Sequence, residues 1–159
     1  MAKPTPRRLV NRIRNVVPLD LHNFRIVKAN LANLINGVNH SRRDRLIPSC
    51  LFIDPELAYV GLTETEAEQQ GKAIRVAKLD ASAIPRARTL GQTDGWLKAI
   101  VDSETGHILG CSLFCHEVAE MILTVQMVML IQMPYTVLQD GILAHLTMTK
   151  GLNMLFSKL

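Results

Sequence analysis

Aromatic side chains are scarce in this chain: one Trp, two Tyr and four Phe make up 4% of its 159 residues. The core must therefore rest on Leu, Ile, Val, Met and Ala, and a single-strand nucleic-acid surface of stacked aromatics has no platform to stand on. The nine glycines never fall as G-x-G-x-x-G, so the sequence offers no backbone cradle for a dinucleotide pyrophosphate. Cysteine is limited to Cys50, Cys111 and Cys115, too few and too irregular for a disulfide framework, and this predicts a reducing, cytoplasmic compartment. Cys111 and Cys115 form a C-x3-C step, one residue too long for a thioredoxin-type pair. With His116 beside it but no second knuckle, the step reads as small packable thiols at a strand end and following turn, not as a metal site.

Acidic side chains are missing from the first 19 residues, which hold Lys3, Arg7, Arg8, Arg12 and Arg14. Those five are set among 18 basic and 14 acidic residues in the whole chain, so the net charge of +4 belongs to this tail and the rest is near neutral. The tail reads as solvated, or as a foreign start left by truncation, in preference to a transit-like segment or a nucleic-acid arm. No long apolar run is free of polar residues. The nearest, HEVAEMILTVQMVMLIQ, is interrupted by Glu117, Glu120, Gln126 and Gln132, so no membrane span is expected. A helix this apolar on most faces is buried in a core or at a subunit interface, and Met121, Leu123, Val125, Val128 and Ile131 are its candidate contacts with a second copy.

With 48% hydrophobic and 20% charged residues, the composition is that of one soluble globular domain with short additions. The apolar pattern of DLHNFRIVKANLANLIN predicts a helix over 20–36. Gly37 and the polar run NHSRRDR then mark a boundary, so the main domain is expected over 45–159. CLFI and LAYVG, split by Asp54-Pro55, read as short strands. In TETEAEQQG, Thr63 and Glu66 form a capping box and Gly71 is a left-handed stop, so a helix follows. KAIRVAKL reads as a strand, and WLKAIVD with HILGCSLF as a hairpin turning at Gly106. The remainder is helical: the long apolar segment, a short helix in TVLQDGIL after Pro134, and a last helix from Thr147 to Phe156. Strands followed by helices predict an α+β fold with an antiparallel sheet and helices packed on one side.

The stretches RDRLIPSCLFIDPELAYVGLTETEA, AIPRARTLGQTDGWLKAIVD, ILGCSLFCHEVAEMI and PYTVLQDGILAHLTMTKGLNMLF, in that order, resemble the C-terminal dimerisation domain of the FAD-dependent pyridine nucleotide-disulfide oxidoreductases. IPRARTLGQTDGWLKA is similar to the mercuric-reductase-like branch, although the ending FSKL without paired cysteines speaks against mercury chemistry. The resemblance implies an interface domain that forms a homodimer. It also divides what precedes that domain into a basic tail over 1–21 and a helix and linker over 22–44 that resemble the end of a flavin domain. Complete members bind FAD and NAD(P)H and carry a redox-active C-x4-C pair. Because the phosphate-binding loops and that pair are not in this sequence, no cofactor is expected in the isolated chain, and a separately encoded flavin-domain chain is a further candidate partner.

At AHLTMTKGLN the family motif is H-P-T-x-x-E, whose histidine serves as acid/base at the partner subunit's flavin and disulfide and whose glutamate accepts the imidazole hydrogen bond. His145 and Thr147 match, while Leu146 replaces proline and Lys150 replaces glutamate. A lysine has three donors and no acceptor, so Lys150 cannot orient the imidazole, and its charge disfavours the protonated ring. His145 therefore reads as the remnant of an acid/base group. The alternative is that it still works at a partner's flavin site within a reductase. His22, His40, His107 and His116 lack metal-ligand spacing and read as surface or hydrogen-bonded core residues.

Overall fold

The computed structural model describes residues 46–159. The basic tail, the predicted helix over 20–36 and the linker up to 44 lie outside the described residues, as do His22 and His40. Five strands, β1 (Ser49–Leu51), β2 (Leu57–Gly61), β3 (Ile74–Asp80), β4 (Trp96–Asp102) and β5 (Ile108–Phe114), make one antiparallel sheet in the order β1-β2-β5-β4-β3. Among the described residues five α-helices accompany them: α1 (Glu64–Gln69), α2 (Pro85–Leu90), α3 (Val118–Leu130), α4 (Thr136–Asp140) and α5 (Gly151–Phe156). The expected α+β class with an antiparallel sheet is the one found.

Local chemistry sets the start of α1 and the β4–β5 turn. The Thr63 hydroxyl accepts from the Glu66 amide at 3.3 Å while the Glu66 carboxylate accepts from the Thr63 amide at 2.8 Å, so two N–H groups that α1 leaves free are satisfied reciprocally. The β4–β5 hairpin turns through Gly106 at φ 71°, and the Asp102 carboxylate accepts from the amides of Glu104 and Thr105 at 3.0 and 3.1 Å. Those two bonds hold the Asp102 carboxyl below its ordinary range, with Lys72 Nζ adding an ion pair at 3.5 Å.

Along β4, Leu97 and Ala99 point to one face and Lys98 to the other. The first face carries the core: Val60, Leu113, Met121, Ile122, Leu152 and Phe156 are all closed to solvent there. Helices α3 and α5 lie over it. Short α1 borders the opposite face, where Lys98 Nζ reaches Glu64.

Two sequence-based expectations are corrected. The strand predicted over 50–53 is Ser49–Leu51, and Phe52 and Ile53 project into solvent beyond it. The last helix was expected from Thr147 but begins at Gly151, because the preceding residues close tighter turns: Gly151 donates to Met148 and Leu152 to Thr149, each at 2.9 Å and each spanning three residues. Gly151 itself permits a close approach, since a Cβ there would lie 2.6 Å from Ile84 Cδ1. Helix α2 was not anticipated, although Pro85 at its first position and left-handed Gly91 after its end are recognised signals.

Candidate functional site

Helix α3 has two unlike faces. Met121 and Val125 are fully buried against the sheet and Val128 nearly so. On the outer face Leu123, Met127, Leu130 and Ile131 remain 44%, 54%, 52% and 67% exposed. Their spacing of four, three and one residues makes one apolar stripe. This divides the five contacts proposed from sequence. Leu123 and Ile131 are free to meet a partner; Met121, Val125 and Val128 are not, because the chain's own core already occupies them.

His145 stands exposed in the connection between α4 and α5, whose two roots are tied down differently. At the far root, the Thr147 hydroxyl donates to the Ala144 carbonyl at 2.7 Å and accepts from the Lys150 amide at 3.3 Å, and Met148 is buried in the core. At the near root, Asn153 of α5 turns its amide Nδ2 toward the carbonyls of Leu138, Gln139 and Gly141, at 2.5, 3.2 and 2.8 Å. The first two lie in the last turn of α4 and the third just beyond its end, without helical donors where the helix stops. Asn153 is 6% exposed and its Oδ1 is buried with no partner. An unpaired buried acceptor costs about 1–3 kcal/mol, and the amide keeps this orientation because the flip would set Oδ1 against three carbonyls.

Lys150 lines an open cleft of about 580 Å³ with Gln139, Asp140, Ile142, Asn153 and Ser157. Its side chain makes no hydrogen bond or ion pair with His145, and among the described residues no carboxylate lies within ion-pairing distance of that imidazole. The His145–Leu146 peptide is cis.

The cysteines are packing groups. Burial pushes the thiols of Cys111 and Cys115 up to about 12, with Glu56 adding to the effect at Cys115. Burial also raises Cys50, assisted by Glu56 and Glu120. Thiols raised as far as those of Cys111 and Cys115 are not nucleophiles near neutral pH. His116 lies 3.5 Å from the Glu117 carboxylate at the surface, and among the described residues no three His, Cys, Asp or Glu side chains converge as metal ligands. No helix among the described residues is long and apolar enough to cross a membrane.

A five-stranded antiparallel sheet covered by α3 and α5, with a histidine carried on the loop between the last two helices, defines a dimerisation domain of disulfide oxidoreductases. Residues 47–155 match the model of the pyridine nucleotide-disulphide oxidoreductase dimerisation domain, and the chain belongs to that family. RclA of Escherichia coli is 42% identical over 139 residues, which cover 87% of this chain and 31% of RclA. Its structure, that of an HOCl-induced flavoprotein disulfide reductase, superposes with a TM-score of 0.77 at 43% identity over 86% of this chain. A mercuric reductase of Shewanella putrefaciens is 33% identical over 68% of the chain, and a dihydrolipoyl dehydrogenase of Bacillus subtilis 38% over 54%. The chain spans 31%, 19% and 18% of the lengths of these three relatives.

Proposed function

We propose that this chain is the dimerisation part of a flavin-dependent pyridine nucleotide-disulfide oxidoreductase, that it pairs with a second copy through the outer stripe of α3, and that by itself it is not a reductase. The observation that carries the reading is the exposed row Leu123, Met127, Leu130 and Ile131 on a helix whose other face is already buried. A contiguous apolar stripe of this kind is stabilised by withdrawal from water, at about 25 cal/mol per Å², and a two-fold pair would set it against itself. Sedimentation of the purified chain tests this. A dimer is expected, and the double variant Met127→Asp, Ile131→Asp should be a folded monomer; a folded dimer would move the interface elsewhere.

The reading leaves the dinucleotide phosphates without a cradle among the described residues. Left-handed Gly61 ends a strand, Gly71 and Gly91 stop helices, Gly95 leads into β4 and Gly106 turns the β4–β5 hairpin, and none builds a glycine-rich turn that opens onto a long helix. In this reading FAD and NAD(P)H, which complete family members use, are held by other parts of the enzyme or by a separately encoded flavin-domain chain.

A second reading is supported by the exposure of His145 on a loop with fixed roots: the imidazole serves as acid/base at the partner subunit's flavin and disulfide. Without a carboxylate at position 150 the ring would work unassisted, as isolated histidines do. Combining the chain with a flavin-bearing half and comparing it with His145→Gln decides between the two. Reductase activity lost in the variant supports the second reading, and equal activity makes His145 a remnant.

A further inference from the structure

The tie between α5 and the end of α4 bridges residues 12–15 apart in sequence and is spent on the root of one loop. We propose that Asn153 is the positioning residue of the His145 loop: by holding the carbonyls of Leu138, Gln139 and Gly141, it fixes where the chain leaves α4 and so where His145 is presented. The proposal rests on the reading that this loop faces the second subunit, and it adds the residue that sets the loop's geometry.

Three features make the contact more than routine core satisfaction. The amide has two N–H groups for three carbonyls, so its whole donor capacity goes to a single turn of backbone. Its oxygen goes unpaired in a buried place to keep that arrangement. At the near root the only other hold is partly buried Leu143 against the core: Gly141 turns to an extended conformation with φ −62° and ψ 141°, and Leu143 donates back to the Gly141 carbonyl at 3.1 Å. The Gly141 carbonyl is thus shared between Asn153 and the first turn of the loop. Moving Asn153 moves that turn, and His145 lies two residues beyond Leu143. The far root needs no such tie, because Thr147 and buried Met148 anchor it locally.

The test is made on the chain as it stands, by NMR, and needs neither flavin nor dimerisation. In the unsubstituted protein both Asn153 side-chain protons should exchange at least about tenfold more slowly than those of exposed amides, as donors held in a buried bond do. Asn153→Leu, of similar size and without donors, should shift or broaden the His145 ring signals and speed exchange of the Leu143 amide about tenfold, while amides in β4 and β5 keep their protection. A merely structural role would loosen sheet and loop together or neither. Fast-exchanging Asn153 side-chain protons overturn the proposal even if every variant fails to fold, and so does a folded Asn153→Leu with unchanged His145 signals. Failure of the dimer reading would show only in sedimentation and would leave these signals as they are.

Discussion

At the scale of single residues, Thr147 and Lys150 show half of a capping box. The Thr147 hydroxyl already takes the Lys150 amide, but a lysine side chain has nothing with which to accept the Thr147 amide in return. Lys150→Glu would supply that acceptor and put a negative charge at the positive end of α5, so the thermal midpoint should rise by the equivalent of about 0.5–1 kcal/mol in a calorimetric scan. Asp102 gives a pH dependence of known sign. Its carboxyl is held below the ordinary range by the Thr105 and Glu104 amides. The stability it contributes is therefore present in full above the unfolded-state value and is lost as pH falls through the depressed one. Asp102→Asn should flatten the acid limb of a plot of thermal midpoint against pH between about 5 and 2, and an unchanged limb would assign acid sensitivity to other carboxylates.

At the scale of elements, α3 decides what a mutation means. Val125→Asp places an unpaired charge in a fully buried site and should abolish cooperative folding, seen as loss of the near-ultraviolet signal. Met127→Asp, two residues on and half exposed, should leave that signal intact and act only on association. A test of the interface at Val125 and Val128, which the sequence pattern suggested, would instead test the core. Helix α1 offers a cleaner local case. Thr63→Ala removes the hydroxyl that caps it and should cost about 1 kcal/mol in urea unfolding with the slope unchanged.

At the scale of the whole molecule, the described residues form one compact unit with a single hydrophobic core, and the chain spans 31% of the length of RclA. Calorimetric titration of the chain with FAD and with NADH should show no saturable binding tighter than about 10 μM, which corresponds to roughly 7 kcal/mol. Binding tighter than that would place a nucleotide site in a region where the glycine geometry does not supply one.

The sequence by itself determined the elements whose signals are local. Alternating apolar residues between turn signals marked β2, β4 and β5; Thr63 and Glu66 marked α1; four segments in fixed order carried the family. Each depends on neighbours within a few residues, so the chain's own order is enough to reveal it. Tertiary structure alone decided which side of α3 is spent on the core, because a helix apolar nearly all round does not say which stripe will meet the sheet. It also moved the start of α5 to Gly151, where the helix packs closely on Ile84, and it gave Asn153 its part. An asparagine inside a helical pattern carries no mark of the three carbonyls it will find, since they lie on another helix and its end, and only the packing of α4 against α5 brings them within reach.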